Sequence, residues 1–237
     1  MRWKRLGKPR FLLVYPLAAC FFFFSHVTEA LLGVGVGFIV LGEFLRLWAD
    51  GYVGHNKVNR SGKSGSRAKV GQFITAGPYA FVRHPLYLGT FLIGMGFCFA
   101  MGNLWLSLVA WISFIVVYRA KMAEEEELLQ EERGEEYALY RAKVGRLLPT
   151  WPPYTRQHGR WSWEGIRASK EWKTVIWLTV FVILVYFWEE IVQEKEPFFN
   201  DRWVFRSFLL VLLVLLVVVD VLFELTKRRA RSKPCIS

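Results

Sequence analysis

Six apolar runs punctuate the chain, at 11–27, 30–49, 86–101, 104–120, 174–190 and 206–224, with polar or glycine-bearing breaks between them. Their lengths approach the ~17–25 residues that a helix needs to cross a bilayer. A run such as 208–223, interrupted only by Asp220, is cheap to expose only in lipid. The pattern predicts an all-α fold, a polytopic membrane bundle of about six transmembrane helices. The third and fourth runs are joined by Met101-Gly102-Asn103 alone, so they read as a tight antiparallel hairpin, with Gly94, Gly96 and Gly102 expected to let backbones approach. No small-residue cleavage site follows the first run, which is therefore expected to be a span and not a signal peptide.

Composition agrees with the pattern. The chain is 54% hydrophobic and 17% aromatic, and its mean hydropathy is +0.26 despite a formal net charge of +11. So basic a chain would suit a phosphate binder, but its cations lie between the apolar runs, which assigns them to the membrane surface and excludes a nucleic-acid partner. They cluster at the N-terminus (Arg2, Lys4, Arg5, Lys8, Arg10), after the second run (Lys57, Arg60, Lys63, Arg67, Lys69, Arg83) and at the C-terminus (Lys227, Arg228, Arg229, Arg231, Lys233). The turns at 26–29 and 101–103 carry none. Both termini are therefore expected in the cytoplasm of an integral, multi-pass membrane protein. Cys20, Cys98 and Cys235 are too few for a disulfide scaffold and read as packed or tail thiols.

Two polar stretches remain. Residues 54–76 have the composition of a flexible loop, and Gly62-Lys63-Ser64 lacks both the spacing and the preceding strand of a phosphate-binding loop. Residues 121–172 open on Glu124-Glu125-Glu126-Glu127-Leu128-Leu129, a strong helix former that carries the fourth run onward out of the bilayer. Beyond Pro149 the character changes: Trp151, Trp161, Trp163 and Trp172 interleave with Arg156, Arg160 and Arg167, as in an interfacial belt. The expected organisation is a membrane core over 1–150, an interfacial segment over 151–172, and an extra hairpin with a basic tail over 173–237.

The chemistry concentrates in two motifs. In Gly77-Pro78-Tyr79-x-x-x-Arg83-His84-Pro85-Leu86-Tyr87-x-Gly89, Pro85 can occupy the first turn of a helix without losing a hydrogen bond. Arg83, His84 and Tyr87 then crowd donors against that helix N-terminus, where an anionic ligand group is favoured. The second motif is Glu125-Glu126-x-x-Leu129-x-x-x-Arg133-Gly134-x-x-Tyr137-x-x-Tyr140, followed by Arg146-x-x-Pro149. On a helix Glu125 shares the Leu129 face and Glu126 points ~100° away, so Glu125 is expected to turn inward and Glu124, Glu126 and Glu127 to be solvated. Inside the membrane, Glu43 and Arg46 are expected to pair with each other, and Asp220 and Glu224 with Lys227 or Arg228.

Together the motifs resemble the isoprenylcysteine carboxyl methyltransferases and the related membrane phospholipid methyltransferases. The resemblance covers about 40–150 and includes Gly42-x-x-x-Arg46-x-Trp48-Ala49; Arg133 stands where that family carries Phe. It implies S-adenosylmethionine as cofactor, in a cytoplasmic pocket beneath the helices, and a lipid or lipid-like acceptor entering from the bilayer. It implies cofactor contacts from Gly71, Gln72, Phe73, Ile74, Tyr79, His84, Pro85, Leu86, Tyr87 and Glu125, with Arg83, His84 and Glu125 central to the reaction. A carboxylate such as Glu125 suits ribose hydroxyls, donors near His84 suit the methionine carboxylate, and the rings of Phe73, Tyr79 and Tyr87 suit adenine or the sulfonium. By the same resemblance Lys121, with Arg119 and Arg46 close by, is expected to steady the acceptor, and no metal is expected.

Two other classes compete. A membrane reductase of the sterol type also places a His-Pro or Asn-Tyr-x-Gly element before a helix, but it would carry a basic run and an aromatic Lys-Tyr-Gly element where this chain has Glu125-Glu126. A non-enzymatic scaffold would leave Arg83, His84, Tyr87 and Glu125 without a purpose.

Overall fold

The computed structural model describes residues 27–53, 73–169, 171–195, 197, 199 and 201–231. The first predicted run, Gly71, Gln72 and most of the 54–76 loop lie outside them. Among the described residues the elements are α1 (Glu29–Val53), a 3-10 turn (Gly77–Ala80), α2 (Pro85–Met101), α3 (Leu104–Arg133), α4 (Glu135–Lys143), α5 (Trp163–Ser169), α6 (Glu171–Phe187), a π-helical turn (Trp188–Gln193) and α7 (Trp203–Arg231). No strand occurs among them; one isolated parallel bridge joins Val82 to Gly145. Among the described residues four helices, against the six spans expected over the whole chain, are long and apolar enough to cross a membrane: α1, α3, α6 continued to Ile191, and α7 to Phe223; α2 is a shorter apolar helix. The chain is an all-α integral membrane protein.

The chain divides into two compact units, 1–171 and 172–237. In the first, α1 and α2 pack most closely. A Cβ on Gly35 would lie 2.5 Å from the Gly96 carbonyl, and one on Gly42 would lie 2.6 Å from the Gly89 carbonyl. These seven-residue spacings on both helices put glycine opposite glycine, so the backbones touch, a lipid-phase device for packing without a hydrophobic driving force. The expected glycine contact between α2 and α3 is corrected accordingly: Gly96 faces α1, and Gly94 faces open space. The hairpin itself is as predicted. Gly102 ends α2 at φ +62°, a left-handed cap that costs glycine little, and Asn103 starts α3 by accepting the Leu106 N–H at 3.1 Å.

At 1.5 Å per residue the 17 residues of α2 span about 26 Å, a few ångströms short of a ~30 Å hydrocarbon layer. The 30 residues of α3 reach about 45 Å, so its charged half, from Arg119 on, projects beyond the bilayer. Gly134 turns the chain into α4, whose Tyr137 and Tyr140 form a buried aromatic core with Phe73, Ala80, Val144 and Tyr154. Arg133 lies over the Phe73 ring at 5.9 Å, so at this position a cation covers the core that an aromatic residue would otherwise cap. Residues 145–158 then run back along 75–84: Arg83 N–H donates to the Gly145 carbonyl (2.8 Å), Thr150 N–H to Phe81 (2.8 Å), Tyr154 N–H to Ala80 (2.8 Å) and Thr75 N–H to His158 (2.9 Å). Part of the stretch expected to be purely interfacial is thus built into the lobe, Tyr154 being buried, while Trp151 and Trp163 stay exposed.

The second unit is an antiparallel hairpin fastened at both ends. Lys173 Nζ meets Asp220 Oδ1 at 3.1 Å and lies over the Trp172 and Phe223 rings. At the other end, fully buried Arg206 donates to Glu190 and to the Pro197 carbonyl, and Arg202 reaches Glu190 at 3.2 Å. Asp220 thus finds a cation across the hairpin; the side chains of Glu224, Lys227 and Arg228, with which a local pairing was expected, lie outside the described ones.

Candidate functional site

Two non-helical pieces, 81–84 and 145–150, carry the site to the emergent half of α3. His84 is the N-cap of α2 at φ −124° and ψ 64°, short of the extended conformation that a following proline favours, and Pro85 takes the first helical position as the His-Pro order predicts. This places Tyr87 one turn into α2, where its hydroxyl donates to Glu125 Oε1 at 2.6 Å. His84 Nδ1 lies 3.8 Å from Glu125 Oε2, and the His84 and Tyr87 ring centroids are 5.6 Å apart. His84, Tyr87 and Glu125 are thus together, as sequence reasoning expected. Lys121 Nζ stands 6.0 Å from the Tyr87 ring centroid, and Arg119 is exposed on the same helix.

Glu126 departs from expectation. It is 3% exposed, and it receives Arg146 through two hydrogen bonds, Nε to Oε1 at 2.9 Å and Nη2 to Oε2 at 2.6 Å. His84 Nε2 lies 3.1 Å and Arg83 Nη1 3.2 Å from the same Oε1. The anion that Arg83 meets is therefore the protein's own carboxylate. Glu124 and Glu127 are exposed, as the solvated-face reading requires. The wheel argument failed for Glu126 because the emergent half of α3 is contacted from two sides: the RHPLY turn on one, and the 145–149 loop on the other. Arg146 followed by Pro149 was the available signal, a bidentate donor on a rigid turn.

The adjacent carboxylates, both beyond the apolar part of α3, are driven in opposite directions. Burial alone would raise Glu126, but hydrogen bonds from His84 and Arg146 and the charge of Arg83 hold it down at about 2. Burial raises Glu125, opposed chiefly by the Tyr87 hydrogen bond. Since the Glu126 group is lowered on folding, its stabilisation is complete above pH ~4.5 and is lost as pH falls toward 2. An acid titration followed by tryptophan fluorescence is expected to show the lobe intact at pH 5 and loosening only below about pH 4; loss already near pH 6 would contradict the network.

The other expected residues are distributed more widely. Phe73 is part of the aromatic core, its ring centroid 5.5 Å from that of Tyr140. Ile74 and Pro85 are buried, Leu86 and Tyr79 half-buried, and the Tyr79 carbonyl accepts the Tyr140 hydroxyl at 2.7 Å. Arg46 donates to the Thr90 hydroxyl, one turn along α2 from Tyr87, and to Glu171 Oε1 at 2.7 Å. Glu43, its expected partner, is paired with it as an ion pair at 3.8 Å without a hydrogen bond, and Glu171 adds a closer, long-range partner. No group of three or more potential metal ligands occurs among the described residues.

Comparison with known proteins places this geometry. Residues 30–136 match the phospholipid methyltransferase family. Over 136 residues the chain is 34% identical to protein-S-isoprenylcysteine O-methyltransferase of Schizosaccharomyces pombe, covering 56% of this chain and 53% of that protein. It is also 24% identical over 208 residues, 86% of each chain, to cobalt-zinc-cadmium resistance protein CzcN of Cupriavidus metallidurans. Nickel-cobalt-cadmium resistance protein NccN of Alcaligenes xylosoxydans xylosoxydans is 28% identical over 105 residues. The chain spans about half the length of the yeast protein it matches. The matched stretch holds α1, the RHPLY turn, the α2–α3 hairpin and the Glu125-Glu126 pair.

Proposed function

We propose that this protein is an integral membrane methyltransferase that uses S-adenosylmethionine to methylate a lipid or lipid-like acceptor. The observation that carries the reading is the convergence of His84, Tyr87 and Glu125 at one membrane face, within the stretch that matches the family. The residues suit the cofactor: Glu125 has one oxygen engaged by Tyr87 and its second free to take a ribose hydroxyl, inside a half-buried, aromatic-sided site. The cofactor, when bound, supplies a methyl group already activated by a positive sulfur, so the chain's task is to hold it in line with the acceptor and to exclude water. Lys121, as a point charge at the edge of the Tyr87 ring, is the residue proposed to steady an anionic acceptor head. Because α2 falls short of the hydrocarbon thickness, its N-terminal turn sits at a depth that an amphipathic acceptor reaches without leaving the bilayer. The site faces the cytoplasm in this reading, with both termini on that side.

Thermal unfolding of the purified protein tests it. S-adenosylhomocysteine at about 100 times its dissociation constant is expected to add about 2.7 kcal/mol of stability, and NADPH to add none. The reverse would make the protein a reductase. Glu125→Gln is expected to weaken S-adenosylhomocysteine binding by on the order of ten- to a hundredfold, the loss of a charge-assisted hydrogen bond, while exposed Glu127→Gln leaves it unchanged. Equal effects in calorimetry would remove Glu125 from the binding site.

A further inference from the structure

His84 lies between two carboxylates, and only Glu126 is within hydrogen-bonding distance of its ring. We infer that Arg146 is a positioning residue: acting through Glu126, it fixes the His84 ring with the proton on Nε2 and presents Nδ1 as an acceptor beside Glu125. Glu126 sits against Arg83 and Arg146 and is ionised, and an ionised carboxylate only accepts hydrogen bonds. At 3.1 Å, then, the hydrogen of the contact belongs to His84 Nε2. The Arg146 fork, bound through Nε and Nη2, fixes the plane of that carboxylate in a way a point charge could not. The Arg146 carbonyl also accepts the His84 backbone N–H at 3.2 Å, so one residue holds both the ring and the main chain of His84.

The consequence concerns the ligand. With its Nε2 proton committed to Glu126, His84 has no donor to offer a ligand carboxylate. Its Nδ1 and Glu125 Oε2 are two acceptors 3.8 Å apart, beyond hydrogen-bonding distance of each other. A ligand group that fits beside both brings hydrogens: a hydroxyl or a protonated amine. That part of the inference rests on the methyltransferase reading; the tautomer does not. Both candidate groups are present on S-adenosylhomocysteine, at the ribose and at the amino-acid end, whereas 5′-methylthioadenosine retains only the ribose.

The test is a nitrogen NMR measurement on detergent-solubilised protein labelled at its four histidines, with His84→Phe to identify the His84 signal. At neutral pH the wild type is expected to show a protonated Nε2 and an unprotonated Nδ1, and Arg146→Gln a mixture of tautomers. Binding of S-adenosylhomocysteine is expected to be roughly tenfold weaker in R146Q. A matching loss for 5′-methylthioadenosine assigns the donor group to the ribose, and a loss confined to S-adenosylhomocysteine assigns it to the amine. A proton on Nδ1 in the wild type overturns the inference even if the variant fails to fold, and so does a ring in R146Q unchanged from wild type. Failure of S-adenosylhomocysteine to bind the wild type would instead remove the methyltransferase reading and leave the tautomer result standing.

Discussion

Replacing Glu126 by alanine is expected to destabilise the protein in detergent by about 3 kcal/mol, while Glu127→Ala changes stability by less than about 0.5 kcal/mol. The difference follows from what each leaves behind. Without Glu126, Arg83 and the Nε2 side of His84 lose the carboxylate they meet, and removing one partner of such a network usually costs more than the network's net worth. Arg146, about one-third exposed, recovers part of its loss by turning to water, which keeps the figure at the low end of the usual range. Glu127 is exposed and leaves nothing unpaired in the core. Denaturant unfolding of the two variants checks the prediction; matching midpoints would mean that the network does not hold the lobe.

The second large effect is expected at Gly89. A Cβ there would lie 2.5 Å from Arg46 Cγ and 2.7 Å from the Gly42 carbonyl, and neither the backbone of α1 nor a side chain anchored to Thr90 and Glu171 can yield cheaply. Gly89→Val is expected to push α1 and α2 apart, at a cost of about 3 kcal/mol or more, and to abolish S-adenosylhomocysteine binding, because Arg46 and the RHPLY turn would move against each other. Gly94→Val on the same helix meets open space and should be tolerated. If the two variants accumulated and melted alike, the α1–α2 contact would not be the tight one.

Local features were the legible ones. The α2–α3 hairpin follows from a three-residue break between apolar runs, and the placement of His84, Tyr87 and Glu125 follows from His-Pro before a helix and from the Leu129 face. What was not legible depends on a third body arriving from far along the chain. Glu126 reads as solvated until Arg146, twenty residues on, is folded against it. Arg46 reads as paired with Glu43 one turn away, and it is, but Glu171, 125 residues on, supplies the closer oxygen. Asp220 meets Lys173 from the facing helix, a partner that its own helix does not announce. In each case helix periodicity gave the direction of a side chain but not which element would be waiting there. Phe73 shows the same limit from the apolar side: its packing against the two tyrosines of α4, more than sixty residues on, is not written in its own neighbourhood.

The pairing of 75–84 with 145–158 also sets an order of assembly. When α2 and α3 enter the bilayer during synthesis, the stretch that carries His84 is already made, but the chain that will receive its main-chain hydrogen bonds is not. The hairpin therefore inserts with its reactive turn unformed, and the turn closes only after residue 158 has left the ribosome. Arg46 waits longer still, for Glu171. Under the proposed function, a nascent chain halted after α3 would be an inserted bundle unable to bind cofactor, so binding competence arrives as a late, separate event that stalled chains of graded length could time.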